Sequence, residues 1–136
     1  MKTSKRLAAV IFTAIIFLIA NIAMAQKAGS AWVIPPKYKA MKSTVKAGDP
    51  EINSTAKSLF AQHCKSCHGT KGLGDGTKSV SLKTIVPSFA DAKFKAQANG
   101  DVYFQSIVGR NEMPNFEKKI TDEADRWALI AYIKSL

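Results

Sequence analysis

Five consecutive residues, Cys64-Lys65-Ser66-Cys67-His68, constrain this chain more than any other feature. Two thiols three residues apart lie on nearly one side of a helical turn. Both can therefore form thioethers to the two vinyl groups of a single porphyrin, which is the chemistry behind the C-x-x-C-H signature for covalent haem attachment. His68, the next residue, is then held beneath the iron as its proximal ligand. Other uses of paired thiols fit less well. A thioredoxin-like redox pair needs a βαβ context, and no strand pattern stands out. A structural zinc site needs four ligands, usually from two separated pairs. Here only His63 and His68 accompany the thiols, all within one or two helical turns.

With 136 residues, the chain has room for one small domain. A core of that size gains from a large buried apolar group such as a porphyrin. The first stretch does not contribute to it. Lys2, Lys5 and Arg6 precede an apolar run from Leu7 to Ala20, and Ala23-Met24-Ala25 supplies the small residues of a cleavage site. Residues 1–25 thus read as a secretory signal, placing the remainder in the periplasm. The same run is also about long enough for an uncleaved membrane anchor. Both readings put the rest of the chain outside the cytoplasm. Residues 1–25 carry three basic groups and no acidic one, so the formal charge of +10 falls to +7 on cleavage.

Residues 26–50 show no helical period and carry Trp32, Pro35-Pro36, Tyr38 and Met41. They read either as a tether or as an arm laying Trp32, Ile34 and Tyr38 across the domain. The domain itself is expected over 51–136. Asp49-Pro50-Glu51 combines a capping side chain, a proline suited to the first helical position and an acid near the positive helix end. Ile52, Ala56, Leu59, Phe60, His63, Cys64 and Cys67 then fall on one helical face. His63 lies on the proximal side and reads as a histidine packed near the haem edge.

The glycine-rich run from Gly69 to Gly76 lacks the Lys-Ser/Thr of a phosphate loop. It reads as a sharp turn away from His68. A backbone carbonyl near Pro87 is a candidate acceptor for the Nδ1 proton of His68, the usual support for a ligating histidine. Gly100-Asp101 introduces a short apolar helix that stops at Gly109. In the following loop Met113, fixed by Pro114, suits a sixth iron ligand; a thioether is soft and neutral and raises the haem potential. Met41, the other mature methionine, is set aside because it precedes the haem motif in sequence read as mobile, whereas Met113 follows the motif in a rigid loop. Thr121-Asp122-Glu123 caps a last helix, apolar nearly all round from Trp127 to Ile133.

These features resemble those of class I c-type cytochromes over Asp49 to Leu136. Phe60 resembles the aromatic of the N-terminal helix, Met113-Pro114 the distal-ligand loop, and Leu129-x-x-Tyr132-Ile133 the C-terminal helix that packs on Phe60. The run from Cys67 to Gly76 resembles small bacterial cytochromes, found singly or fused to oxidase subunits. Ala56 departs from the glycine frequent there, which implies a slightly wider helix crossing. The resemblance implies an all-α fold of three to five short helices around one covalent haem c, and single-electron transfer.

The expected protein is an exported monohaem electron carrier, a monomer, with Cys64 and Cys67 bonded to haem and His68 and Met113 on iron. Two protein ligands leave no open position for substrate, so an enzyme is not expected. A haem subunit, a small peroxidase-like enzyme and a haem sensor with a displaceable sixth ligand are the alternatives. Eight lysines from Lys65 to Lys119 would steer the domain towards acidic surfaces on redox proteins or membrane respiratory complexes. Nucleic acid is not an expected partner: the compartment is wrong and no aromatic platform is interleaved with the lysines.

Overall fold

The computed structural model describes residues 30–45 and 49–136. The signal segment expected at 1–25 lies outside them, as does part of the 26–50 stretch. Among the described residues the helices are α1 (Pro36–Lys39), α2 (Pro50–His63), α3 (Lys65–His68), α4 (Ala92–Lys95), α5 (Asn99–Tyr103) and α6 (Glu123–Ser135). A 3-10 turn spans Ser79–Ser81, and a π-helical turn, Phe104–Val108, continues α5. The architecture is all-α, as expected. The number of helices exceeds three to five because single turns of four or five residues accompany the two long elements, one before α2 and three between α2 and α6.

α2 starts where its chemistry predicts. The Asp49 carboxylate accepts from the amides of Glu51 at 3.0 Å and Ile52 at 3.4 Å, with Pro50 at the first position. Its apolar stripe buries Ala56 and Phe60. The stripe does not run unbroken to Cys67. α2 ends at His63, Cys64 takes φ −115°, and α3 begins a new turn. The returning loop fixes where α3 stops. It donates from Gly76 N to Cys67 O at 3.2 Å and from Lys78 N to Ser66 O at 2.8 Å, taking carbonyls that a longer helix would need.

α6 is the main partner of α2. Its cap is Asp122 rather than Thr121, with the Asp122 carboxylate accepting from Asp125 N at 3.1 Å. Trp127, Ala128, Leu129, Ile130 and Ile133 are buried along it. Phe60 meets Tyr132 edge-on at 5.4 Å between ring centroids, and Tyr103 of α5 packs on Trp127 at 4.6 Å. α6 therefore buries side chains against α2 on one flank and α5 on another, which explains why it is apolar nearly all round.

α5 begins at Asn99, so Gly100-Asp101 lies within its first turn rather than ahead of it. Ala98 takes the extended cap conformation and its carbonyl accepts from Asp101 N and Val102 N, with no side chain capping the helix. The π turn ends with Gly109 N donating to Phe104 O at 3.0 Å. Against this element lies the arm. Trp32 meets Phe104 edge-on at 6.1 Å, and Tyr38 packs on Phe104 at 4.7 Å and Tyr103 at 6.3 Å. Residues 31–45 belong to the same compact unit as the helices.

Candidate functional site

α3 brings Cys64, Cys67 and His68 onto one turn. Both Cys67 N and His68 N donate to Cys64 O, at 3.1 and 2.9 Å. Both thiols are free; Cys64 is buried and Cys67 half-buried. Burial first, and the neighbouring Cys67 second, push the Cys64 thiol up to about 12. A thiol held neutral by an apolar setting is poorly placed to serve as a redox nucleophile or metal thiolate. It loses nothing on becoming a thioether, which carries no ionisable proton.

His68 is buried and stacks on Phe89, with ring centroids 4.5 Å apart and planes at 21°. Burial lowers its pKa to about 4, so the imidazole is neutral at physiological pH and keeps a lone pair for a metal. Its Nδ1 is buried with no hydrogen-bond partner. The carbonyl expected near Pro87 does not reach it. The Val86 carbonyl, which precedes Pro87, turns instead against Gly74, so closely that a Cβ there would overlap it. Gly74 also has φ +79°, a conformation that favours glycine. Its amide donates to His68 O at 2.9 Å, so the glycine-rich loop folds back beneath the histidine.

Met113 arrives from a separate turn and is half-buried at the rim of the core. The turn runs from Arg110 to Met113, closed by Met113 N on Arg110 O at 2.9 Å, with Asn111 at φ +50°. Gly109 starts it at φ +70°, where a Cβ would strike the Met113 carbonyl. Phe116 N on Ile107 O, at 2.8 Å, closes its base. His63 lies 5.6 Å from Phe116 between ring centroids, joining the end of α2 to this loop.

Two groups that the motif reading passed over hold the Met113 turn. The Arg110 guanidinium lies over the Trp32 ring at 3.9 Å and its Nη1 donates to Ala31 O at 2.8 Å. The Glu112 carboxylate accepts from Lys83 N and Thr84 N, each at 2.9 Å, and from the Thr84 hydroxyl at 2.8 Å. The Lys83 amide, then the Thr84 hydroxyl, hold the Glu112 carboxyl below its usual range. Neither partner has a local sequence signal, because each pairing spans a long chain separation. Met41 also differs from expectation. It packs half-buried against the core, with its amide on Tyr38 O at 3.0 Å, so mobility does not separate it from Met113.

The sequence model of the family described as Cytochrome C oxidase, cbb3-type, subunit III matches residues 51–133. The chain belongs to that family of c-type cytochromes. A comparison with curated proteins finds no match. The matched span runs from the first turn of α2 into the last turn of α6 and takes in Met113 but not Met41. A cytochrome c domain is a haem-binding, electron-transfer module, and its haem c is covalently attached.

The side chains fit such a group. A neutral buried thiol, a second thiol on the same turn, and a neutral buried imidazole form the donor set for covalent haem. Among the described residues, no group of three or more His, Cys, Asp or Glu side chains is placed to hold a metal ion by itself.

Proposed function

We propose that this chain is an exported monohaem cytochrome c that carries single electrons, with haem c bonded to Cys64 and Cys67 and ligated by His68 and Met113. The carrying observation is the α3 turn, which presents two free thiols and a neutral buried imidazole inside a cytochrome c domain. The chain has two cysteines in all, enough for one such attachment. Met113 is preferred over Met41 because it lies within the matched span and on a turn braced from two sides. Haem supplies the one-electron chemistry when bound. Cys64 and Cys67 would anchor it, and His68 and Met113 would ligate its iron, leaving no open position for substrate.

Docking falls to the loop from Gly69 to Phe89. It folds back on α3 through the Lys78 N to Ser66 O bond and exposes Leu73, Val80 and Ile85 beside Lys71, Lys78 and Lys83. Apolar side chains amid positive charge suit a transient contact with an acidic redox protein. Export to the periplasm follows from the reading of residues 1–25. Among the described residues no helix is long and apolar enough to cross a membrane.

The test is a pair of optical spectra, oxidised and reduced, on protein made in a host that attaches haem outside the cytoplasm, with acid–organic extraction alongside. Haem that resists extraction, with the weak far-red band of methionine–iron ligation, is the expected result. Absence of bound haem overturns the reading. The family description favours a second role, the haem subunit of a larger oxidase. Isolation of native membranes distinguishes the two: a subunit co-purifies stoichiometrically with an oxidase, and a carrier is released by salt.

A further inference from the structure

We propose that Glu112 is a positioning residue for the axial methionine: its carboxylate ties the Met113 turn to the loop that supports His68. The inference rests on the reading of Met113 as the distal ligand.

The turn around Met113 would otherwise be weakly held at its tip. It is a four-residue turn with a non-glycine residue, Asn111, in the left-handed region. Its base is secured by Phe116 N on Ile107 O, but that bond lies beyond Pro114. Glu112, adjacent to Met113, supplies the tip. Its Oε1 accepts from Lys83 N while its Oε2 accepts from Thr84 N and the Thr84 hydroxyl. One carboxylate thus engages two successive backbone amides and a side chain, a bidentate grip that sets direction as well as distance.

The gripped loop is the one that carries His68's support. Two residues beyond Thr84, the Val86 carbonyl rests on Gly74, whose amide binds His68 O. Three further on, Phe89 stacks on the His68 ring while its amide donates to Gly72 O at 2.7 Å. A short path therefore runs from Met113 through Glu112, Thr84 and Phe89 to His68. Through it the separation of the two candidate ligands depends on Glu112. If methionine must leave iron before carbon monoxide binds, loosening this tie speeds that departure.

The experiment uses haem-loaded Glu112→Gln and Thr84→Val proteins, with carbon monoxide as the probe of the ferrous iron. Gln keeps one acceptor and replaces the other with a donor facing an amide; Val removes only the hydroxyl donor. Expected for Glu112→Gln are carbon monoxide association about tenfold faster, as the loss of a charge-assisted bond would give, and a weakened far-red band. Thr84→Val moves both in the same direction by less. Asp122→Ala, which removes the cap of α6, lowers the melting temperature without changing carbon monoxide association. Amide exchange at Lys83 and Thr84 accelerates in Glu112→Gln.

A far-red band and association rate unchanged in Glu112→Gln would overturn the proposal. So would unchanged exchange at both amides. If the wild-type protein itself lacks the band and behaves like Met113→Ala, the ligand reading fails instead, and the positioning role falls with it. In that case accelerated exchange at Lys83 and Thr84 would still identify a tie without a ligand role.

Discussion

Cys64 and Cys67 are three residues apart and chemically unequal. Cys64 sits in the core with its thiol pushed up to about 12, while Cys67 stands half-exposed on the same turn. In haem-free protein at about pH 8, a maleimide should label Cys67 at least about tenfold faster than Cys64, because only a thiolate with access reacts. Peptide mass mapping over time checks the order, and equal rates would contradict the burial of Cys64. His68 carries a pH signature of its own. Its folded pKa, lowered to about 4 by burial, lies below the ordinary 6.5. The unfolded chain therefore binds a proton near 6.5 that the fold refuses until about 4, and stability falls as pH drops through that window. An acid titration of the haem-free protein, with stability read by urea denaturation, should hold that stability near neutral pH and lose it between about 6.5 and about 4. Loss at pH above about 6.5 would show that a group other than His68 controls it.

At the scale of elements, the α2–α6 pairing is set by size at one position. Ala56 is fully buried on the stripe of α2 that it shares with Phe60, so a larger side chain there must displace packed neighbours. Ala56→Leu should cost about 1–3 kcal/mol through overpacking, measured by urea denaturation at fixed pH. Ala56→Gly should cost less, about 0.5–1 kcal/mol, since it loses helix propensity without a clash. α2, α6 and the α3 turn were legible before the structure because caps and apolar periodicity are local properties. The break at Cys64 was not, because the apolar stripe runs on to Cys67 and only the folded backbone, with Cys64 at φ −115°, interrupts it. The one-residue shift of the α6 cap from Thr121 to Asp122 has a similar cause: two adjacent side chains can cap, and tertiary packing chooses.

At the scale of the whole molecule, charge separates into working and structural parts. Lys95 is tied down rather than free to reach a partner. Its Nζ donates to Lys134 O at 2.7 Å, while Lys134 Nζ donates to Gln97 O at 2.6 Å, so both hold α6 to the α4–α5 segment. Lys71, Lys78 and Lys83 remain exposed on the Gly69–Phe89 loop. Electron transfer with an acidic redox protein should slow several-fold between about 0.05 and 0.5 M salt as these charges are screened. Lys78→Glu should flatten that dependence, and Lys95→Gln should leave its slope unchanged. Stopped-flow rates across a salt series read both.

What the sequence by itself determined is the chemistry that depends on short spacing. The C-x-x-C-H run, the Asp49-Pro50 helix start and the apolar stripes of α2 and α6 require only neighbours within a turn or two. What the tertiary structure decided is how distant segments brace one another. Arg110 meets Trp32 across the chain, and Glu112 meets Lys83 and Thr84. Such pairings join residues with no shared period, so only the folded backbone brings their hydrogen-bonding groups within reach. The orientation of the Val86 carbonyl belongs to the same class. Gly74 admits it where any side chain would exclude it, and that steric choice arises only once the two loops meet.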